Sequence, residues 1–458
     1  MLRPVRHPAT VLVALTTALG SLMIPSSAMA TTAAGASPAE RPVGGIAPTP
    51  VARRAATSGV ATISGSGFGH GVGLSQYGAL GMARAGKTAP EIVGHYYTGV
   101  AVTAARDAVD LRVNVVHRGR SIVLRPVAIG DAAAHRARLT PTTGTPLLLA
   151  PGDLATVTPS PGAVTVAVRR GSGATITRSS TGWTVDWTGT KAWSGPATRL
   201  ALTSRMLGGT ATKERSYRWG RLALTNLADG LEAVTTVDLH AGYLRGLAEM
   251  PSSWPAAALQ AQVITARSYA LVAATSAPKA SCGGCQLWDD QRSQMYVGWA
   301  KEGEKIGSTD YGARWVAAVT ATSPTPTTGI AVLYQGRPVQ TYYASSTGGK
   351  TRDPKAVWGS SVPYLRVVAD PWSLDPSVNP GFAAWKRTVT VTKLASAFGI
   401  TDGSGIASLA IATRDAAGAV TALKATSGAG QVRTVTGEAF RSRLGLPSSW
   451  VSGVKLPT

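Results

Sequence analysis

Tyr-Leu-Arg-Gly-Leu-Ala-Glu-Met-Pro, at residues 243–251, and Leu-Gln-Ala-Gln-Val-Ile-Thr-Ala-Arg-Ser-Tyr-Ala, at residues 259–270, are the two stretches that decide the fold of this chain. In the second stretch the apolar residues from Leu259 to Ala270 recur at spacings of four, three and four. This pattern predicts a helix with one buried stripe, beginning near Pro255 and ending near Ala274. The first stretch predicts a shorter helix that ends at Glu249, so the two together form a short helical pair.

The flanking sequence alternates apolar and polar residues, as β-strands do. Residues 109–187 contain several such runs, and a basic turn at residues 117–120 is predicted to end the first of them. Further strands are predicted at 219–224 and 231–237, a hairpin at 330–343, and a helix at 80–97. Short strands alternate with short helices over residues 386–440. The fold class is therefore α+β, with mixed sheets and a β-rich inserted section.

The first thirty residues have the pattern of a secretory signal. Arg3, Arg6 and His7 precede an apolar run at residues 11–24, and Ala28-Met29-Ala30 resembles a cleavage site. The sequence therefore predicts an exported protein, secreted to the cell wall. Residues 31–58 are rich in Ala, Pro, Gly and Ser, which predicts a disordered linker.

The chain is strongly basic, with a formal net charge of +22. Removal of Arg3 and Arg6 with the signal leaves 22 − 2 = +20. Such a charge favours an anionic partner. The sequence contains no nucleic-acid-binding motif, so for an exported chain the candidates are acidic wall glycan and phosphate-rich wall polymers. A generic basic surface is the alternative.

Cys282 and Cys285 form a Cys-Gly-Gly-Cys motif. In an exported chain this spacing favours a disulfide, whereas a zinc site would require two further ligands. The nearest histidine in the sequence is His240, and there is no second Cys-x-x-Cys motif. We therefore favour a disulfide and predict neither a metal nor a cofactor.

Three segments contain residues suited to chemistry. His70 lies in a glycine-rich run at residues 65–78, where glycine permits close approach to a ligand; a surface histidine on a glycine-rich hairpin is the alternative. Glu249 lies in an apolar stretch, where burial and a helix C-terminus would favour its protonated form; an exposed helix-end glutamate is the alternative. Consecutive hydroxyls at residues 345–347 offer hydrogen bonds to a sugar, or form an ordinary polar turn.

Taken together, these segments resemble the SpoIID/LytB family of peptidoglycan enzymes and wall-lysis enhancers. The resemblance covers most of residues 61–100 and 214–450. It rests on the two stretches quoted above and on four others: Gly-His-Gly-Val-Gly-Leu-Ser-Gln-Tyr-Gly-Ala (69–79), Ser-Gln-Met-Tyr-Val-Gly (293–298), Ser-Ser-Thr-Gly-Gly-Lys-Thr (345–351), and Val-Trp-Gly with Pro-Tyr-Leu (357–359 and 363–365).

The order of these segments differs from that of the family, in which the Gly-His-Gly segment usually follows a segment like Leu-Gly-Leu-Pro-Ser (444–448). The difference is typical of a circular permutation, which predicts that residues 61–80 pack beside residues 440–450. The SpoIID-like domain would then comprise residues 59–100 and 213–458, with a β-rich section at 101–212 between them.

The resemblance implies a lytic transglycosylase that cleaves peptidoglycan glycan strands, with Glu249 as the catalytic acid and base. The residues that it implies for substrate binding are His70, Gly71, Ser75, Gln76, Arg267, Ser346, Thr347 and Gly348. It leaves three alternatives open: a non-catalytic enhancer of an N-acetylmuramoyl-L-alanine amidase, an extracellular metalloprotein using the cysteine pair, and an ordinary hydrolase that uses water.

Overall fold

The structure is a computed structural model that describes residues 55–131, 133–228 and 230–457. The predicted secretory signal (1–30) and most of the predicted linker (31–58) lie outside these residues. The end of that linker belongs to the fold, because Ala56 forms a β-bridge with Ile406. Within the described ranges, no helix combines the length and the hydropathy that a membrane span requires.

The predicted α+β class is confirmed, with 40% of the residues in strands and 21% in helices. The α-helices are α1 Gln76–Arg84, α2 Ala89–Tyr96, α3 Ala256–Ala274, α4 Trp299–Glu302, α5 Tyr311–Ala321, α6 Pro354–Trp358, α7 Val391–Ala397 and α8 Gly437–Leu444. Shorter helical turns occupy Leu239–Tyr243, Leu244–Gly246, Ala280–Cys282 and Pro371–Leu374.

The strands fall on both sides of α3 in the sequence. Those before it are β1 Val60–Gly65, β2 Leu74–Ser75, β3 Ala101–Arg106, β4 Asp110–Ala128, β5 Ala137–Pro141, β6 Leu147–Leu149, β7 Leu154–Ser160, β8 Ala163–Arg169, β9 Thr175–Ser180, β10 Gly182–Trp187, β11 Thr198–Met206, β12 Thr212–Tyr217, β13 Arg221–Leu227 and β14 Gly230–Asp238. Those after it are β15 Leu287–Trp288, β16 Lys305–Ile306, β17 Thr309–Asp310, β18 Thr328–Tyr334, β19 Arg337–Pro338, β20 Tyr343–Ala344, β21 Trp385–Thr390, β22 Ile406–Arg414, β23 Val420–Ser427, β24 Val432–Thr436 and β25 Val451–Lys455.

The largest sheet has twelve strands and curls into a half-barrel. Its main path is β6-β5-β10-β13-β14-β4-β7-β8-β9, and β11 and β15 also pair with β4. The sheet therefore joins the predicted β-rich section to strands β13 and β14, which we had assigned to the SpoIID-like part. The core inside the sheet continues without a break into α3, where Leu259, Val263, Ala266 and Ala270 are buried. The prediction of one buried stripe is too narrow, because most other positions of this helix are buried as well.

The predicted turn at residues 117–120 is wrong, because β4 continues through it. Gly119 pairs with Leu231 and Val116 with Ala233, so two residues of β4 lie opposite the single residue Glu232. This β-bulge absorbs an extra residue without ending the strand. The buried Glu232 carboxylate holds the bulge, since it accepts hydrogen bonds from the backbone N–H of Arg118 and from Asn114.

The helix predicted at residues 80–97 is two helices, α1 and α2. Gly86 lies between them with φ +82°, a conformation that glycine adopts readily. Thr88 then begins α2 with a capping box to Glu91, and Pro90 lies in the first turn, where it fits best. The two helices therefore leave the break in different directions.

The helical pair is half confirmed. Helix α3 begins and ends within a residue or so of the prediction. The helix predicted to end at Glu249 is wrong, since helical backbone stops at Gly246. Leu247 there forms a β-bridge with Tyr296, and the Ala248 N–H donates to the Met295 carbonyl. Glu249 consequently lies in a loop.

The prediction that residues 61–80 pack beside residues 440–450 is confirmed. Strand β1 pairs with β25, immediately after the second segment, in a three-stranded sheet completed by β21. Gly69 N–H donates to the Pro447 carbonyl at 3.0 Å, and Ser448 Oγ donates to the Ser66 carbonyl at 2.5 Å. The ends of the fold therefore lie side by side, as a circular permutation requires.

Candidate active site

Glu249 is fixed by the two segments that cross its loop. Its Oε1 accepts one hydrogen bond from the Met295 backbone N–H at 2.7 Å and another from the Tyr343 hydroxyl at 2.9 Å. Its backbone carbonyl accepts a hydrogen bond from Gln76 Nε2 at 2.9 Å. The glycine-rich segment thus reaches the Glu249 backbone, and Tyr343, which precedes the hydroxyl loop, reaches the carboxyl group.

Burial raises the pKa of the Glu249 carboxyl above its usual value. The hydrogen bonds from Met295 and Tyr343 lower it, but they do not offset the loss of solvent. The helix end predicted to act in the same direction is absent, since the helical turn ends three residues earlier. Burial alone therefore favours the protonated acid.

A relay of hydrogen bonds fixes the direction of the Tyr343 hydroxyl. Tyr243 donates to Gln294 Oε1 at 3.0 Å, and Gln294 Nε2 donates to the Tyr343 oxygen at 3.0 Å. Because that oxygen already accepts a hydrogen bond, its own proton points to Oε1 of Glu249. Oε2 of Glu249 has no hydrogen-bond partner among the residues that the structure describes, so a proton on Oε2 is available to a bound molecule.

Two groups of aromatic side chains lie near Glu249. In the first, the ring of Tyr77, next to Gln76, contacts that of Trp254 at 5.1 Å between centroids. In the second, burial raises the pKa of Tyr269, with smaller contributions from Tyr342 and from Glu249, which places all three close together. Half-buried rings beside a few polar groups are typical of ligand-binding clefts.

An exposed tryptophan extends the second of these aromatic groups. The ring of Trp358 lies 4.6 Å from Tyr342 and 5.1 Å from His70, and the Trp358 residue is 47% exposed. The aromatic surface therefore continues from the neighbourhood of Glu249 to the solvent.

His70 is half-buried and held by its own backbone segment. Its Nδ1 accepts a hydrogen bond from the Val72 N–H at 3.0 Å. Burial lowers the pKa of His70 from 6.5 to about 4, and the positive charges of Arg441 and Arg352 lower it further. The imidazole is therefore neutral near pH 7 and is held by hydrogen bonds to the backbone of Val72 and of Tyr343, which suits a structural rather than an acidic role.

Ser75 and Thr347 are buried and serve the local backbone. Ser75 Oγ caps α1 by accepting from the Gly78 N–H, and it also contacts Ser373 Oγ at 2.9 Å. Thr347 Oγ1 donates to Asp370 at 2.7 Å. Neither hydroxyl is placed to reach a substrate, in contrast to the expectation from sequence.

Gly71 and Gly348 pack against Trp450. A Cβ atom at Gly71 would lie 2.0 Å from the indole ring, and one at Gly348 would lie 2.2 Å from it. Ser346, next in the hydroxyl loop, is buried and pairs with Phe68 through the backbone. These three positions were predicted to bind substrate, but the structure places Gly71 and Gly348 against a tryptophan and Ser346 in a buried backbone bridge.

Arg267 requires a correction as well. Its side chain is fully buried, with Nε 2.8 Å from Asp107 and the other nitrogens bound to Thr322, Ser323 and the Ile330 carbonyl. Asp107 also binds His240 at 2.6 Å. A guanidinium with all its donors used inside the core does not contact a substrate and does not act on Glu249.

Sequence reasoning missed the residues that hold the Glu249 carboxyl. Gln294 and Met295 lie in a quoted stretch, and Tyr343 precedes the hydroxyl loop, but no spacing in the sequence connects them to Glu249. Gln76 was correctly singled out, for a different reason than its contact with the Glu249 carbonyl.

Cys282 and Cys285 form a disulfide, as predicted. Both are buried, and the carbonyl of Cys282 accepts a hydrogen bond from Asn114 of β4. The bond removes both thiols from metal binding, and the described ranges contain no cluster of three or more His, Cys, Asp or Glu residues suited to a metal. The metalloprotein alternative therefore loses the two cysteine ligands on which it was based.

Part of the chain is similar in sequence to a known protein family. A family described as stage II sporulation protein, SpoIID, matches residues 228–326. This region contains Glu249, helix α3, the disulfide and the Gln294-Met295 pair that orders the carboxyl. The match confirms the resemblance to the SpoIID/LytB family.

Individual relatives give the same result. The stage II sporulation protein D of Bacillus subtilis (strain 168) is 29% identical over 204 residues, which cover 44% of this chain and 55% of that protein. The protein of the same name from Bacillus amyloliquefaciens is 29% identical over 154 residues, covering 33% and 42%. A Bacillus subtilis protein named amidase enhancer is 30% identical over 146 residues, covering 32% and 16%. The chain thus spans about half, or less, of these relatives.

Proposed function

We propose that this chain acts on the bacterial cell wall and cleaves the glycan strands of peptidoglycan as a lytic transglycosylase. The matches to stage II sporulation protein D and to an amidase enhancer support the wall-related role. The observation that carries the finer proposal is the Glu249 carboxyl, whose pKa is raised by burial and whose Oε2 is unoccupied.

The reaction requires one acid that also serves as a base. Protonated Glu249 donates its proton to the oxygen that joins C1 of N-acetylmuramic acid to N-acetylglucosamine, and the C1–O bond breaks. The C6 hydroxyl of the same muramic acid attacks C1, and Glu249 takes the hydroxyl proton. The products are a 1,6-anhydro end and a free 4-hydroxyl, and Glu249 is again protonated.

The surroundings of Glu249 favour this route over hydrolysis with a second carboxylate. Glycosidases that use water or a protein nucleophile generally need two carboxylates. The Glu249 carboxyl is hydrogen-bonded by a backbone N–H and a tyrosine, and no acidic side chain contributes to its pKa shift among the residues described. A nucleophile supplied by the substrate removes the need for a second acid.

The aromatic side chains give the cleft a way to orient sugars. Trp254 and Tyr77 form one aromatic pair near Glu249, and Tyr342 and Trp358 form another. Sugar rings carry apolar C–H faces, which pack on such rings, and correct positioning of the reacting groups can lower the barrier by several kcal/mol. We expect the glycan to run between the two aromatic pairs.

The decisive experiment is digestion of purified glycan strands, with and without stem peptides, followed by mass analysis of the new ends. Anhydro-muramyl ends are expected, and they are lighter by one water than the products of hydrolysis. Reducing ends in their place would show that water is the nucleophile, and unchanged strands would contradict the enzymatic proposal.

One observation favours a second function, enhancement of an N-acetylmuramoyl-L-alanine amidase. The Bacillus subtilis relative named amidase enhancer is 30% identical over 146 residues. Under this alternative the chain would bind wall glycan and an amidase without cleaving the strands. An assay of amidase rate with added chain separates the two, because a pure enhancer would keep its full effect when Glu249 is replaced by Gln.

We also propose that the chain is exported and works in the wall, on the pattern of residues 1–30. Its partners would be peptidoglycan strands, and anionic wall polymers through its net positive charge, rather than nucleic acid. Fractionation of cells, with the mature N-terminus determined by mass spectrometry, checks this. Full-length protein recovered from the cytoplasm would contradict it.

A further inference from the structure

One face of the half-barrel sheet points to solvent over five strands. Across β11, β4, β7 and β8 the inner positions are mostly buried apolar residues, while the outer positions are half-buried or exposed, and β9 is an exposed edge strand. One row of paired outer positions shows the pattern: Thr203, Val123, Thr156, Ala167 and Thr177. We call this surface the outer face.

Three arginines lie close together on the outer face. Arg125 of β4 pairs with Ala201 of β11, and Arg199 of β11 pairs with Val127 of β4, so the two arginines are diagonal neighbours at roughly 7–8 Å. Leu124 of β4 pairs with Ala155 of β7, so the next residue of β4, Arg125, lies opposite Leu154. Because Leu154 in turn pairs with Arg169 of β8, Arg169 lies about two strand spacings, ~10 Å, from Arg125.

These three arginines have no acidic partner among the described residues, although other arginines of the same sheet do. Arg138 and Arg221 both bind Asp186, and Arg170 binds Asp153. Asp186 and Asp153 thus pair with other arginines of the sheet, and Arg125, Arg169 and Arg199 are left uncompensated. The polar contact of Arg199 is a 3.5 Å approach to Ser216 Oγ.

We infer that the outer face binds a phosphodiester-linked polyol polymer, a class of extracellular polyanion. One guanidinium group can bind two oxygens of the same phosphate. Three guanidinium groups at intervals of roughly 7–10 Å suit a polymer in which phosphates recur along the chain. Thr203, Thr156 and Thr177, in the adjacent row of outer positions, supply hydrogen bonds for the hydroxyls of the polyol units.

The side chains of the outer face argue against a nucleic acid. Single-stranded nucleic acid is usually held by aromatic rings on which its bases stack. The five-strand row and the residues around the three arginines are Thr, Ser, Ala, Val and Leu, without an aromatic ring. A polymer that needs charge and hydroxyl contacts, but no stacking, fits better.

The test measures binding of a labelled poly(glycerol phosphate) oligomer to the full chain by fluorescence anisotropy at several salt concentrations. We expect the variant Arg125→Gln/Arg169→Gln/Arg199→Gln to bind at least about tenfold more weakly at physiological salt. Three lost phosphate contacts should also reduce the slope of log K against log salt by about 2, if each contributes ~0.7 as in single strands.

A matched control removes the same charge elsewhere. Arg337, Lys386 and Arg387 are exposed and form no ion pair within the described ranges, so Arg337→Gln/Lys386→Gln/Arg387→Gln has the same net charge as the test variant. An equal loss of affinity in this control would overturn the proposal, because net charge alone would then explain binding. So would equal affinity of the parent chain for polygalacturonate or for a single-stranded oligonucleotide, or no binding to poly(glycerol phosphate). The result is independent of Glu249 and of glycan cleavage.

Discussion

The surroundings of Glu249 and the packing around Trp450 are both assembled from segments far apart in the sequence, yet their polar groups are used differently. Around Trp450, Gly71 and Gly348 allow the indole to approach the backbone, and Thr347 is bound internally. At Glu249, one carboxylate oxygen is held by two donors and the other is left without a partner. Conspicuous motif residues thus support the packing around Trp450, whereas the Glu249 carboxyl keeps one oxygen without a hydrogen-bond partner among the described residues.

The largest effect should come from Glu249→Gln. Glutamine keeps an oxygen that accepts from Met295 and Tyr343, so the fold should be unaffected, but it has no proton to donate. Loss of general acid catalysis should lower the rate of strand cleavage by about 10²–10⁴. The rate of anhydro-end formation and the thermal midpoint are measured together. A parental rate in this variant would remove Glu249 from the mechanism.

Arg267→Met should reduce the stability of the fold instead of acting on the chemistry at Glu249. It leaves Asp107 buried without its guanidinium, which should reduce the free energy of unfolding by about 3–5 kcal/mol. Urea denaturation measures this loss. Arg292→Gln is the matched control, since its pair with Asp290 is exposed and should contribute less than about 1 kcal/mol. Similar losses in both variants would contradict the structural role of Arg267.

Gly348→Ala tests the packing around Trp450. Its Cβ would meet the indole at 2.2 Å, so the strain should cost about 1–3 kcal/mol of stability. Gly94→Ala is the control, because it lies within α2 with open space around it and should gain up to about 1 kcal/mol. If Gly348→Ala were as stable as the parent and only weakened glycan binding, the loop would be a binding surface after all.

Tyr343→Phe should give the smallest change, a shift in pH dependence. The tyrosine hydroxyl stabilises the ionised Glu249, so its removal should raise the pKa of that carboxyl further. The acid would then stay protonated to higher pH, and the alkaline fall of the pH–rate profile should move upwards. Tyr334→Phe, away from Glu249, should leave the profile unchanged. A downward shift would contradict the proposed direction of this hydrogen bond.

The sequence predicted what depends on local periodicity. Helix α3 follows from the spacing of apolar residues over five turns, and its limits were found within a residue or so. The helix before Glu249 was not predictable in this way, because the apolar residues of 243–247 suit a helix, whereas the bridge from Leu247 to Tyr296 depends on a partner 49 residues later. Long-range pairing overrode local preference there, as it did at the bulge in β4.

For the site, composition identified Glu249 and the direction of its pKa shift, since an apolar neighbourhood is visible in the sequence. The substrate-binding role that the resemblance implied for Arg267, Ser75 and Thr347 does not fit their burial. Whether a polar side chain faces a cleft or the interior depends on the tertiary contacts of its neighbours. Asp107, which holds Arg267, is 160 residues away in the sequence. Family motifs pointed to the right segments but not to the task of each side chain.

The length of strand β4 limits how this protein can be truncated. Its first part pairs with β14 and β15, and its later part with β11 and β7, so one continuous ribbon of 19 residues serves both the β-rich section and the region that carries Glu249. Excising residues 101–212 would remove β4, one of the two neighbours of β14, and expose the apolar side of the sheet. A truncated chain starting at residue 213 should therefore aggregate, and the β-rich section is a structural requirement whatever it binds.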